Sequence, residues 1–204
     1  MEKQLDWVEI QKEKEFLLKQ RERFNMEKSR MKKIYFEEVI PKMIEKFKFS
    51  NVYQVPRITK IVLSMGLGKR DIKKNLDDLT AIAGQKAVVT KAKKSVSQFN
   101  VRIGFDSGAK VTLRDNNMYH FLDRLLNIAL LNWRAFPGIP KKSFNKQKFV
   151  TLSLGVPDKR IFSEIFSDSL KSEGLNVTIC SDAKDIEEFK VMLYMIGFPI
   201  IGGI

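Results

Sequence analysis

The sequence predicts an α+β fold, on two observations. Segments with helical spacing of apolar residues are interspersed with segments of period-two alternation, without the regular count of a doubly wound parallel sheet. The 204 residues are 44% hydrophobic and 30% charged, enough apolar material for one packed domain and too much for a disordered chain.

Residues 1–30 read as an extension. They hold eight basic and seven acidic side chains and neither Gly nor Pro, with Trp7, Ile10, Leu17 and Phe24 loosely on one side. That is a solvated helical composition, either exposed or docked on a neighbouring protein or RNA. A single domain follows over residues 31–204. Its first element is helical over Tyr35–Phe47, where Ile34, Phe36, Val39, Ile40, Met43, Ile44 and Phe47 recur at helical spacing; Pro41 moves the expected start to Val39 or Ile40. Arg57–Leu63 alternates as a strand ended by Gly66 and Gly68, Lys73–Ala83 is helical, and Val88-Val89 is a short strand. Lys91–Gly108 lacks periodicity and reads as a long loop or hairpin, followed by a strand over Ala109–Arg114. The clearest helix is Asp115–Asn132, with Asp115 or Asn116 as N-cap and Met118, Phe121, Leu122, Leu125, Leu126 and Ala129 on one face. Strands follow at Phe149–Leu154 and Asn176–Cys180. Ser181 or Asp182 caps a last helix to about Met195, stopped by Gly197 and Pro199.

Charge narrows the function. Thirty-seven Lys and Arg against 24 Asp and Glu give +13, of which +12 belongs to residues 31–204. Such a surplus predicts a polyanionic partner, nucleic acid or an anionic membrane surface. No run approaches the roughly 18 apolar residues of a membrane span. The N-terminus has no signal-peptide apolar region and is richer in acid than a mitochondrial presequence, so an intracellular soluble protein is expected. With Cys180 and His120 each alone, neither disulfide nor zinc or other metal site is expected, and no cofactor.

The chemical motifs are bland. Gly66-Leu67-Gly68-Lys69 has neither the upstream glycine nor the following Ser or Thr of a phosphate loop, and reads as a strand-ending turn. His120 and Asp123 share a helix face without a nucleophile or metal partner nearby. Cys180 reads as a core residue. A non-enzymatic protein without a small-molecule substrate is expected.

The basic stretches are more informative. Residues 84–105 contain no acid but carry Lys86, Lys91, Lys93, Lys94 and Arg102, interleaved with Gln85, Thr90, Ser95, Ser97, Gln98, Asn100, Phe99 and Phe105. Basic heads neutralise phosphates, short polar groups reach phosphate and 2′-OH, and aromatic rings stack on unpaired bases. A second acid-free run, 127–157, carries Arg134, Lys141, Lys142, Lys146 and Lys148 beside Trp133, Phe136 and Phe144. Gly84, Gly104, Gly108, Pro137 and Pro140 place these runs on loops rather than on a membrane-surface helix. RNA is favoured over DNA because no helix carries a basic face for a major groove.

Asn51-Val-Tyr-Gln-Val-Pro-Arg57, Lys60-Ile61 and Met65-Gly-Leu-Gly68 resemble the opening strand of the bacterial-type ribosomal protein L5 family. The likeness continues through Gly84-Gln-Lys86, Thr90-Lys-Ala-Lys-Lys-Ser-Val96, Lys110-Val-Thr-Leu-Arg114, Lys142-Ser-Phe144, Gly155-Val156 and Gly197-Phe-Pro199. It covers essentially residues 31–200. The resemblance implies an antiparallel-rich sheet with helices on one face, and RNA on the other. It implies a structural constituent of the large ribosomal subunit that binds 5S rRNA and large-subunit rRNA in the central protuberance. Carried over by position, the RNA-binding set is Ser64, Met65, Gln85, Lys86, Thr90, Lys91, Thr112 and Arg114. The segment Ala92–Gly104, with Lys93, Lys94, Ser95, Ser97, Gln98, Phe99 and Arg102, corresponds to the family's projecting loop that meets P-site tRNA. A neighbouring small-subunit head protein is implied as a further partner, through residues the sequence does not identify. Ser64 stands where the family commonly has Asn, and Pro137 and Pro140 replace an Arg and a small polar residue. The abundance of Lys, Phe, Ile and Asn leans toward a mitochondrial matrix ribosome over a bacterial cytoplasm or a plastid. The rival from another class is an extraribosomal RNA- or protein-binding regulator.

Overall fold

Period-two alternation in the strands decides the architecture. In a computed structural model that describes residues 29–66, 72–134, 136–146, 148–165 and 174–201, six strands form one antiparallel sheet. They are β1 (Ile58–Gly66), β2 (Val88–Lys91), β3 (Asp106–Leu113), β4 (Phe144–Lys146), β5 (Val150–Val156) and β6 (Leu175–Ser181), in the order β2-β3-β1-β6-β5-β4. The extension up to residue 28 and the turn at Leu67–Lys69 lie outside the described residues.

Alternate residues of the four inner strands enter the core: Ile61, Leu63 and Met65 of β1, Ala109, Val111 and Leu113 of β3, Val177 and Ile179 of β6, Leu152 and Leu154 of β5. All the helices cover that one face. The first, α1, runs Arg30–Ile34, passes through a π turn at Tyr35–Val39 and continues over Ile40–Phe47. It is followed by α2 (Ile72–Ala83), by α3 over Asp115–Arg124, a second π turn Leu125–Ala129 and Leu130–Asn132, and by α4 (Ile186–Ile196). Phe121 stacks on Phe162 at 6.0 Å between ring centroids, and Phe144 meets Phe189 edge-on at 5.9 Å.

Several boundaries differ from the sequence expectation. Pro41 does not start α1. The helix begins at Arg30, capped by the Ser29 hydroxyl, which accepts from the Lys32 N–H. It passes the proline because the wider π turn, in which the Ile40 N–H reaches the Tyr35 carbonyl, sits just where the proline ring would crowd an α turn. The N-cap of α3 is Arg114, without a side-chain cap bond, rather than Asp115 or Asn116; Asp115 turns the chain off the sheet at φ +49. The last helix is capped at Asp185, not Ser181 or Asp182. Ser181 is the final residue of β6, paired with both Ile58 and Val150, and Asp182 is held by Arg57. The short strand β4 was hidden inside a run expected to be loop. The long stretch after Lys91 is a hairpin, with β3 starting at Asp106 and Gly108 inside that strand.

Two buried polar contacts join the layers. The Lys159 side chain, 2% exposed, donates to Asn75 Oδ1 at 2.6 Å and pairs with Asp78 Oδ2 at 2.7 Å, fastening the segment after β5 to α2. The Tyr35 hydroxyl donates to the Pro56 carbonyl at 2.8 Å, fixing α1 to the entry of β1 beside Tyr119.

Lys159→Met leaves a carboxylate without its cation in a largely dry site. It should lower the unfolding free energy in urea by about 3–5 kcal/mol. Burial pushes the Tyr119 hydroxyl up to about 12 and Tyr35 higher still. Unfolded tyrosines ionise from about pH 10, so above it the unfolded state sheds protons that the fold retains. Stability should be unaffected by these groups below about pH 10 and fall as pH rises toward 12. Absorbance at 295 nm followed together with circular dichroism should show these two ionising with unfolding.

Candidate nucleic-acid interface

The sheet face opposite the helices carries the other half of the alternation. Cross-strand register arranges it in rows. Val88 of β2, Lys110 of β3, Ser64 of β1, Asn176 of β6 and Gly155 of β5 form one row, since each pairs with the next. Thr112, Val62, Thr178 and Ser153 form the next. Lys60, Cys180, Thr151 and Asn145 form a third, with Arg114 just beyond the end of β3 beside Lys60. Apart from Val62, Val88 and Cys180 the side chains are hydroxyls, amides, glycine and cations, with no carboxylate in these rows.

The face is also hollowed. Gly66, Gly108 and Gly155 floor a shallow groove of about 600 Å³ bordered by Ser64, Thr90 and Asn176. Gly108 is required there: a Cβ would lie 2.6 Å from the Met65 carbonyl oxygen and 3.0 Å from Thr90 Oγ1.

The structure brings most of the expected RNA-binding residues together. Ser64, Thr112 and Thr90 are half-buried on the open face, and Arg114 is exposed at its rim. Gln85 and Lys86 lie exposed in the turn before β2, with Gln85 Nε2 at 3.5 Å from the Thr112 carbonyl. Lys91 ends β2 opposite Asp106. Met65 departs from the expectation. Adjacent strand residues point to opposite faces, and its side chain is buried in the core opposite Ala109. Lys60, Lys110, Asn176, Thr178 and Ser153, outside the expected set, share the same face. Their signal is the period-two alternation of β1, β3, β5 and β6, which sets them on the side opposite the apolar residues.

Ala92–Gly104 is an ordered hairpin tip. Ala92 donates to the Phe105 carbonyl at 2.8 Å and Gly104 to the Ala92 carbonyl at 3.0 Å. Val96 and Val101 exchange backbone bonds around a single 3-10 turn, Ser97–Phe99, closed by Asn100 at φ +53. Ser95 Oγ accepts from the Ile103 N–H at 3.0 Å, bracing the tip from within. Lys93, Lys94, Ser97, Gln98 and Arg102 are exposed, and so are Phe99 and Ile103, each 71%. Two large apolar side chains held in water beside three cations suit stacking on a nucleic acid better than an idle loop.

The remaining candidates carry no chemistry. His120 is exposed, and Asp123 is taken by Arg30 at 2.8 Å and by Asn127. Cys180 is buried as expected, but on the open side of the sheet across from Lys60 rather than in the helix-covered core. Burial pushes its thiol above the usual range against the opposing pull of Lys60. Among the described residues no His, Cys, Asp or Glu group could hold a metal, and no helix is long and apolar enough to cross a membrane.

A helix-backed sheet with a bare, hollowed, cationic face and a basic hairpin beside it defines a structural RNA-binding domain. The family profile described as ribosomal protein L5 matches residues 51–102, and that of the ribosomal L5P family C-terminus matches residues 106–200. The large ribosomal subunit proteins uL5 of Geobacter sulfurreducens and Cupriavidus taiwanensis are each 45% identical over 177 residues, 84% of this chain and 98% and 97% of the relatives. That of Brevibacillus brevis is 41% identical over the same share of this chain. The chain belongs to the ribosomal protein L5 family, whose members are structural constituents of the large ribosomal subunit and not enzymes. These relatives are bacterial and lend no support to a mitochondrial over a bacterial compartment.

Gly108→Ala forces its methyl against a backbone carbonyl that cannot swing away. It should destabilise the domain by about 1–3 kcal/mol in urea unfolding, and amide exchange should show β2 loosening before β6.

Proposed function

We propose that the chain anchors 5S rRNA in the central protuberance of the large subunit through the open sheet face. Ser64, Gln85, Lys86, Thr90, Lys91, Thr112 and Arg114 are the contacts on the β1–β3 side. The hairpin tip, with Lys93, Lys94, Ser95, Ser97, Gln98, Phe99 and Arg102, reaches P-site tRNA. A small-subunit head protein is a further neighbour. The observation that carries this reading is the convergence of Ser64, Thr112, Thr90 and Arg114, distant in sequence, on one face whose central rows hold no carboxylate. Short hydroxyls at the centre and cations at the rim suit the shallow minor groove of an RNA helix, read by shape and 2′-OH. Ser64 is shorter than the Asn usual in the family and offers a hydroxyl in place of an amide. Lys110 and Asn176 flank it and can supply the missing reach.

Two measurements test the reading. In a salt series, the full chain should bind 5S rRNA more tightly than a length-matched control RNA. Arg114→Ala should weaken 5S binding by about 1–3 kcal/mol and narrow that discrimination. Lys93→Ala with Lys94→Ala should spare 5S binding and flatten the salt slope for tRNA by roughly one unit per contact or less. Equal binding to both RNAs that collapses with salt would sink the 5S assignment. Co-sedimentation with large subunits separates a resident ribosomal protein from an extraribosomal regulator, which would stay in the soluble fraction.

A further inference from the structure

The cation-flanked aromatic at the far corner of the open face has no role in the interface described so far. Phe149 immediately precedes β5 and shares the side of Thr151 and Ser153. Its ring is 46% exposed, the one aromatic on that face among the described residues. The Lys60 ammonium lies 6.0 Å from the ring centroid and that of Lys148 5.9 Å, each within cation–π reach. Two carboxylates that follow β6 are engaged: Arg57 meets Asp182 through its backbone N–H at 2.7 Å and its Nε at 3.0 Å, and Lys146 meets Asp185 at 2.6 Å. The corner therefore presents a half-exposed ring between two lysines. Among the described residues nothing covers the exposed part of Phe149.

We propose that Phe149, flanked by Lys60 and Lys148, is a stacking platform for an unpaired base of rRNA. It extends the RNA interface across the sheet to β5, three strand spacings or roughly 15 Å from β3. The partner chemistry follows from the charge. Two ammonium groups beside one ring match a base with its own phosphates on either side, whereas a protein's apolar side chain would leave both lysines unanswered. The rows between fit the same ligand, because Thr178, Ser153 and Thr151 offer hydroxyl donors and acceptors along the path from Ser64 to Phe149. This inference rests on the open face being the RNA face.

The test uses the full chain with two probes: a 5S rRNA transcript, and a single-stranded oligoribonucleotide carrying 2-aminopurine, whose fluorescence is quenched on stacking. Phe149→Leu should abolish most of the quenching and weaken binding about five- to tenfold without changing the salt slope. Phe149→Tyr should behave as the parent. Lys60→Ala and Lys148→Ala should each flatten the slope by about one unit or less. Melting curves confirm folding, and the half-exposed ring makes Phe149→Leu safe for the core. If Phe149→Leu binds and quenches like the parent while Arg114→Ala still weakens 5S binding, the platform is overturned and the face reading stands; a protein neighbour then owns the corner. If neither substitution changes binding, the face reading falls and takes the platform with it. Loss with Phe149→Leu alone keeps the platform and moves the RNA toward β5.

Discussion

Everything in this domain hangs on the double pairing of β1. This nine-residue strand is hydrogen-bonded to β3 on one side and β6 on the other, in a register that aligns Val62 with both Thr112 and Thr178, and Ser64 with both Lys110 and Asn176. Because side chains alternate, one choice of register simultaneously sends Ile61, Leu63 and Met65 into the core and lines up the polar rows on the other face. A slip by one residue would bury Ser64 and Lys60 and expose the core. The packing of the core and the make-up of the open face are therefore set by the same hydrogen bonds. The helices need contribute nothing to the interface beyond holding the sheet flat side out.

One-sided packing also explains the charge. A sheet with both faces covered would have no place for a surplus of +13 except its loops. Here the cations stand on the bare face and its rim, at Lys60, Lys110, Arg114 and Lys148, and on the hairpin beyond Lys91. Carboxylates are spent elsewhere, many of them in pairs: Asp78 with Lys159, Asp123 with Arg30, Asp182 with Arg57, and Glu164 with Arg124. The Asp123–Arg30 and Asp182–Arg57 pairs are surface pairs of small energetic value.

The strands and helices were legible where their period was long enough to count. The alternating strand expected over Arg57–Leu63 appears as β1, running on to Gly66, and the stripe Met118, Phe121, Leu122, Leu125 is buried as expected. What was not legible was whatever depended on partners distant in sequence. Phe144–Lys146 is a strand only because β5 lies beside it, and its three residues carry no period. The cap of α4 moved to Asp185 because β6 claimed Ser181 for the ladder. Pro41 misled because a proline stop assumes an α turn before it, and a π turn is an option that local sequence does not announce. Met65 was assigned through resemblance to the motif it sits in, although its neighbour Ser64 already fixed the opposite face for it. Phe149 opens a strand in the sequence, and Lys60, 89 positions earlier, reaches its ring only through the pairing of the sheet.

The two outer strands have a consequence for the protein before it reaches its ribosome. Edge strands expose unpaired backbone groups and invite a second sheet to add on. Here they are the shortest of the six: β2 spans four residues and β4 three, and they end in Lys91 and Lys146. The ladder between β2 and β3 is bulged at Thr90–Lys91 as well. A newly made chain waiting for RNA thus has a wide, sticky-looking polar face but almost no length of free edge. Like charges at both borders keep two copies from zipping together. The sheet is broad in its middle for recognition and narrow at its margins for solitude.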